Sequence, residues 1–145
     1  MAPLITLIAV SGLGRLLGWA CDLGWLDSWP HATVLGLAAM FLLTASAHFQ
    51  QPRRAGLIAM VPPRLPDAPA LVTLTGVLEL AGVIGLLVPA TSRFAAAVLL
   101  VLLLVMFPAN VHAARAGLGI KTMPLPQRAL VQVFFIGACA VVVFA

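Results

Sequence analysis

Five predominantly apolar runs divide the chain: Leu4–Trp25, Ala32–Phe49, Ala70–Val88, Phe94–Ala114 and Gln127–Phe144. A helix needs about 20 such residues to cross about 30 Å of hydrocarbon at about 1.5 Å per residue. The pattern therefore predicts an all-α polytopic membrane bundle of five membrane helices. Arg15 interrupts the first run. The connector "QQPRRAGLIAMVPPRLPDAP" is too short to span, yet sets apolar Leu57, Ile58, Met60 and Val61 beside arginines before Pro62, Pro63, Pro66 and Pro69. It predicts a short interfacial segment that the prolines terminate.

Polar residues inside the apolar runs recur at helical spacing. Ser11, Arg15, Gly18 and Asp22 share one face, as do Thr44, His48 and Gln51, Thr75 and Glu79 with Gly82, and Arg128 and Gln132. Glu79 is the only charge from Leu71 through Thr91. An ionisable side chain at a membrane helix centre costs about 2.5–3.5 kcal/mol on the insertion scale, so such residues face the bundle interior. Counted along their helices, Glu79 and Arg15 lie at similar depths, about 14 and 16 Å from one end. An Arg15–Glu79 ion pair is the simplest expectation. His48, Asn110 and His112 count as about 8–10 Å shallower. They are expected not to bond Glu79 directly, but to line with it a cavity opening toward that end, beside a chain kinked at Pro108. Gly14 with Gly18, and Ala81 with Gly85, are small-residue pairs that let helices approach closely.

Composition supports the membrane reading. Of 145 residues, 63% are hydrophobic and 8% charged, and the mean hydropathy is +1.15. A soluble domain carries about 25% charged residues. The net charge of +4 does not indicate nucleic acid, because the basic residues sit between apolar runs rather than on an amphipathic face. One connector carries Arg53, Arg54 and Arg64 against Asp67, and another carries Arg115 and Lys121, with Arg128 just beyond. The alternating connectors hold Asp22, Asp27 and His31, or only Arg93. The positive-inside rule then places the N-terminus inside and the C-terminus outside. "LLGWACD" is expected to remain helix rather than a lipoprotein cleavage site. Cys21 and Cys139 read as small apolar residues, with a disulfide on a shared face as the alternative.

The polar residues also have plain structural readings. An Arg15–Glu79 pair would fix packing, His48 and His112 would reach lipid headgroups, and Asn110 would bridge helices. Metal binding is not expected, since His48, His112 and Glu79 lack ligand spacing. The chain contains no catalytic triad, P-loop or GxGxxG motif.

Three phrases in order, "HFQQP…MVPPRLP", "LTGVLELAGVIGLLVPATSRFA" and "FPANVHAA", resemble the DoxX-like family of small bacterial integral membrane proteins. The resemblance runs from about His31 to the C-terminus and implies a four-helix core. Residues 31–145 would form that core within a single membrane domain, with residues 1–30 as an additional N-terminal helix and connector. It also implies a bacterial inner-membrane location. His48, Pro62, Pro63, Glu79, Pro108 and Asn110 match its motifs, and no catalytic residues carry over. Some members resemble subunits of thiosulfate:quinone oxidoreductases. The first functional expectation is therefore an accessory subunit of a membrane redox system. It would bind a quinone-like lipophilic molecule and receive electrons from a partner protein, since the chain holds no redox centre of its own. A second is a stand-alone enzyme doing acid–base chemistry, an isomerisation or hydration, on an apolar substrate. A third is an assembly protein. Glu79 and His48 are the acid/base candidates, and Asn110, Arg15, Thr75, Gln132 and His112 the ligand-binding candidates. Whether Arg15 meets Glu79 separates the readings, because a glutamate held ionised by arginine is a poor acid.

Overall fold

The structure, a computed structural model, describes residues 1–116 and 123–145. They form six helices: α1 (Ala2–Ala20), α2 (Trp29–Phe49), α3 (Arg53–Met60), α4 (Ala68–Leu87), α5 (Ser92–Arg115) and α6 (Leu125–Phe144). All but α3 are long and apolar enough to cross a membrane. The five expected spans are present, and α3 is the short segment expected beside the arginines. Lys121 lies outside the described residues.

The helix starts follow local chemistry. Pro3, Pro30, Pro69 and Pro126 each stand in the first turn of a span, where a missing N–H costs no helical bond. Ser28 caps α2 by accepting from the His31 N–H at 3.4 Å, which starts the helix three residues before the expected Ala32. Asp67 caps α4 by accepting from the Ala70 N–H at 3.1 Å.

The first helix ends five residues before the expected Trp25. Asp22 takes a left-handed conformation with φ 51°, and the Leu23 N–H turns back to the Gly18 carbonyl at 3.0 Å. Gly18 is buried against this turn, where a Cβ would stand 2.5 Å from the Leu26 carbonyl carbon. The turn carries Asp27 back over α1, where it pairs with Arg15. The Arg15 guanidinium also lies 6.0 Å from the Trp29 ring centroid. The expected Arg15–Glu79 pair is therefore not formed. The depth count assumed a longer first helix; in the shorter one, Arg15 is only five residues from the helix end and meets a partner in the turn that follows.

Helices α2, α4, α5 and α6 close into a ring, each packing on the next and α6 returning to α2. Helix α1 packs on α2 from outside that ring. The outer surface is apolar, with Leu16, Ile84, Val105, Val133 and Phe134 exposed, as lipid contact requires. Inside, the two halves of the ring differ. Away from the arginines, Leu37, Leu86, Leu99 and Cys139 are fully buried and form the apolar core. Cys139 and the exposed Cys21 are free thiols, so the disulfide alternative is not realised. The tight approach of α4 to α5 falls at Gly82, facing Leu99, and at Gly85, facing Ala95. Ala81, expected to share in that contact, is exposed.

The arginine-rich end is tied together by Arg54. Its guanidinium donates to the His48 carbonyl at 2.6 Å, the Pro69 carbonyl at 3.2 Å and the Thr73 hydroxyl at 3.0 Å. One side chain thus joins the end of α2 to the start of α4. Arg54→Lys keeps the charge but not the planar fork. It should lower the thermal midpoint in detergent by about 1–2 kcal/mol equivalent. Arg53→Lys, at an exposed neighbour without such bonds, should leave the midpoint unchanged.

Candidate functional site

The half of the ring nearer the arginines holds a cavity of about 420 Å³. Met40, Phe41, Leu103, Met106 and Phe135 supply its apolar wall, and Met1, Arg53 and Leu57 stand at its mouth. Its polar side chains are Thr44 and His48 from α2, Glu79 from α4, Asn110 from α5 and Gln132 from α6. His48, Glu79 and Gln132 are 3%, 4% and 8% exposed, so these groups are withdrawn from the surface while facing a common space. A second cavity, at the opposite end, is lined by His31 and Arg93, both of them exposed.

Glu79 and His48 meet: Oε1 and Nε2 are 3.6 Å apart. This overturns the expectation that His48 lies too shallow to reach Glu79. The count along each helix took the ends of α2 and α4 as level. In fact α4 begins well below the end of α2, and His48 sits opposite Gly76, one turn from Glu79. Side chains also lean toward the N-terminus of their own helix. Because α2 and α4 run in opposite directions, His48 and Glu79 lean toward each other.

Gly76 makes the approach possible. A Cβ there would lie 2.6 Å from the His48 Cβ and 3.0 Å from both its Cγ and the Phe49 ring. Two backbone-anchored contacts then orient the pair. His48 Nδ1 is 2.7 Å from the Val72 carbonyl oxygen, which only accepts, so Nδ1 carries the proton and donates. Nε2 is left as an acceptor in the neutral ring. Thr75, one turn along α4, approaches the same Nδ1 at 3.2 Å while its hydroxyl donates to α4 carbonyls. Thr44 donates to Glu79 Oε2 at 2.7 Å.

The amides are oriented by the same logic. Arg128 donates to the Asn110 side-chain oxygen at 3.0 Å, leaving the Asn110 NH2 as a donor. Gln132 donates to the Leu103 carbonyl at 2.6 Å, leaving its own oxygen as an acceptor. Pro108 cannot return an N–H to the preceding turn of α5, and the Gln132 bond falls beside that gap.

The structure thus gathers four of the seven candidates, Glu79, His48, Asn110 and Gln132, around one cavity. Thr75 stands behind His48 as a supporting contact. Arg15 is engaged with Asp27 on α1, and half-buried His112 does not line the cavity. Thr44 was visible as a member of the His48 stripe, but its bond to Glu79 depends on helix register. Phe41, Met106 and Phe135 gave no signal, since nothing distinguishes a cavity-facing apolar residue from its neighbours.

These features define a polytopic α-helical membrane protein with a cavity in one half of its bundle, lined by a few buried polar side chains. The chain belongs to a family described as a domain of unknown function, DUF8561, whose model matches residues 37–142. The match begins within α2 and takes in the whole cavity except its mouth at the N-terminal residues. No curated protein and no solved structure matches the chain.

Gly76→Ala should push His48 off Glu79 and destabilise the bundle by about 1–3 kcal/mol, read as a lower thermal midpoint. Gly137→Ala tests the opposite case on α6, where a Cβ meets nothing within 4 Å. That variant should be neutral or stabilising by up to about 1 kcal/mol through helix propensity.

Proposed function

We propose that this protein binds a lipophilic small molecule with a polar, quinone-like head, held in the cavity beside Glu79 and His48. In this reading it serves as an accessory subunit of a membrane redox system, with electrons supplied by a partner protein. One observation carries the reading. Two ionisable side chains, each more than nine-tenths buried, face a cavity of about 420 Å³ that is otherwise largely apolar. That volume falls within the usual range for small-molecule sites, about 300–1,000 Å³. Intramembrane ionisable residues are costly and mark functional sites by default. The apolar wall suits a lipophilic body, and the oriented Asn110 and Gln132 amides suit a head with both accepting and donating groups. The resemblance to DoxX-like proteins favours a quinone-like molecule. The charge distribution of the connectors favours the arginine-rich end, and hence the mouth, facing the cytoplasm of a bacterial inner membrane.

A second reading is supported by a specific contact. Arg15 pairs with Asp27 rather than Glu79, so Glu79 is not held ionised by an arginine and can exchange a proton with His48. Acid–base catalysis on an apolar substrate in the same cavity follows from that freedom.

Mass spectrometry of the small molecules that accompany the protein into lipid nanodiscs tests the binding common to both. The wild type should retain a lipophile beyond bulk lipid, and Glu79→Gln should retain it at least about tenfold less, a loss of about 1.4 kcal/mol. Bulk lipid alone in both samples would remove the support for a ligand. The polar groups would then be helix-packing contacts of an assembly protein.

A further inference from the structure

The hydrogen-bond inventory around Glu79 and His48 points to the kind of group the cavity receives. The His48 Nδ1 proton is directed at the Val72 carbonyl at 2.7 Å. The Thr44 hydroxyl approaches Glu79 Oε2, also at 2.7 Å. What remains toward the cavity are His48 Nε2 and Glu79 Oε1, 3.6 Å apart. Among the described residues, no protein donor reaches either atom. A neutral imidazole and a carboxylate would present two lone pairs to each other. One proton held by the pair removes that conflict and leaves the pair without net charge, whichever partner carries it. The separation is longer than a direct O–H···N bond, which spans about 2.5–3.0 Å. It is short enough for one oxygen atom to lie about 2.8 Å from both Nε2 and Oε1.

With one proton on the pair, one of the two atoms is a donor and the other an acceptor. An oxygen bridging them must therefore accept from one and donate to the other. A hydroxyl does both. A ketone or ether oxygen only accepts, and leaves one buried lone pair without a partner, which is the costlier error in a dry site. We infer that the gap between His48 Nε2 and Glu79 Oε1 is a recognition site for a ligand hydroxyl, so that the cavity selects a lipophilic phenol or quinol over the corresponding quinone or ether. Val72, Thr75 and Thr44 act here as positioning residues, since they fix which atoms of the pair are left to the ligand. The inference rests on the ligand-binding reading above and specifies the chemical form of the ligand.

Binding of three probes to the purified protein in nanodiscs tests it: decylhydroquinone, decylbenzoquinone and the dimethyl ether of decylhydroquinone. The tail is shared, and only the head's capacity to donate differs. The hydroquinone should bind at least about tenfold more tightly than the other two. In Glu79→Gln the amide N–H can donate across the gap to His48 while its oxygen accepts from Thr44, so the preference should fall to about threefold or less. A readout independent of that variant's folding uses His31→Gln/His112→Gln, which leaves His48 as the sole histidine. In this background, imidazole nitrogen resonances should report a protonated Nδ1. The hydroquinone should shift the Nε2 resonance and the dimethyl ether should not. Equal binding of all three probes, a preference for the quinone, or a protonated Nε2 with a bare Nδ1 would overturn the hydroxyl inference and leave the cavity reading intact. Failure of every probe to bind would instead count against the quinone-like ligand itself, and the hydroxyl site would fall with it.

Discussion

A carboxyl group placed among apolar helices needs hydrogen-bond partners and a way to avoid a net buried charge. In this protein those requirements are met across one helix pair. Glu79 faces His48 from α4, Thr44 donates to its other oxygen, and the Val72 carbonyl holds the histidine ring from behind. Each partner imposes a condition on the backbone. The histidine needs the Cβ-free surface of Gly76 to come close enough. The register of α2 on α4 must keep residues 44 and 48 beside 79 and 72, and Arg54 joins the ends of those helices by three hydrogen bonds. The geometry of one buried carboxyl group therefore accounts for a glycine, a threonine and the arginine that joins the two helix ends.

The ring of four helices divides into two halves because its side chains do. Where α2, α4, α5 and α6 face one another with Leu37, Leu86, Leu99 and Cys139, they interdigitate into a close-packed core. Where they present Thr44, Glu79, Asn110 and Gln132, the side chains engage one another and the backbone, and a cavity remains between them. Gln132 and Arg128 continue the same logic on α6. Each donates to α5, one to the Leu103 carbonyl ahead of Pro108 and one to Asn110 just after it. The proline thus falls within a stretch of α5 supported by its neighbour.

Helix α1 obeys a different constraint. It packs on α2 outside the ring, and its charge is neutralised locally by Asp27 in the turn that follows. Nothing in that arrangement calls on Glu79. The ring and its first helix solve the problem of membrane charge separately, and the family match, which begins in α2, covers the ring rather than α1.

Much of this architecture was legible along the chain. Apolar run length determined the five spans, because crossing hydrocarbon needs a minimum number of helical residues whatever surrounds them. Arginines and prolines beside Leu57 and Ile58 marked the short helix α3. The polar stripes identified Glu79, His48 and Gln132, because helical periodicity alone places costly groups on one inward face, and Asn110 stood out beside Pro108 in an otherwise apolar run. Pairing was another matter. The distance from Arg15 to Glu79 and from His48 to Glu79 depends on where α1 ends and how far α4 extends past α2. The first is settled by the turn that folds back on Gly18, the second by the packing of His48 on Gly76, remote from it in sequence. The tautomer of His48 likewise depends on a backbone carbonyl 24 residues away. The sequence by itself determined which residues must avoid lipid. Only the tertiary structure decided which of them meet, because hydrogen bonds and ion pairs are set by ångström-scale offsets between helices that periodicity within a helix does not encode.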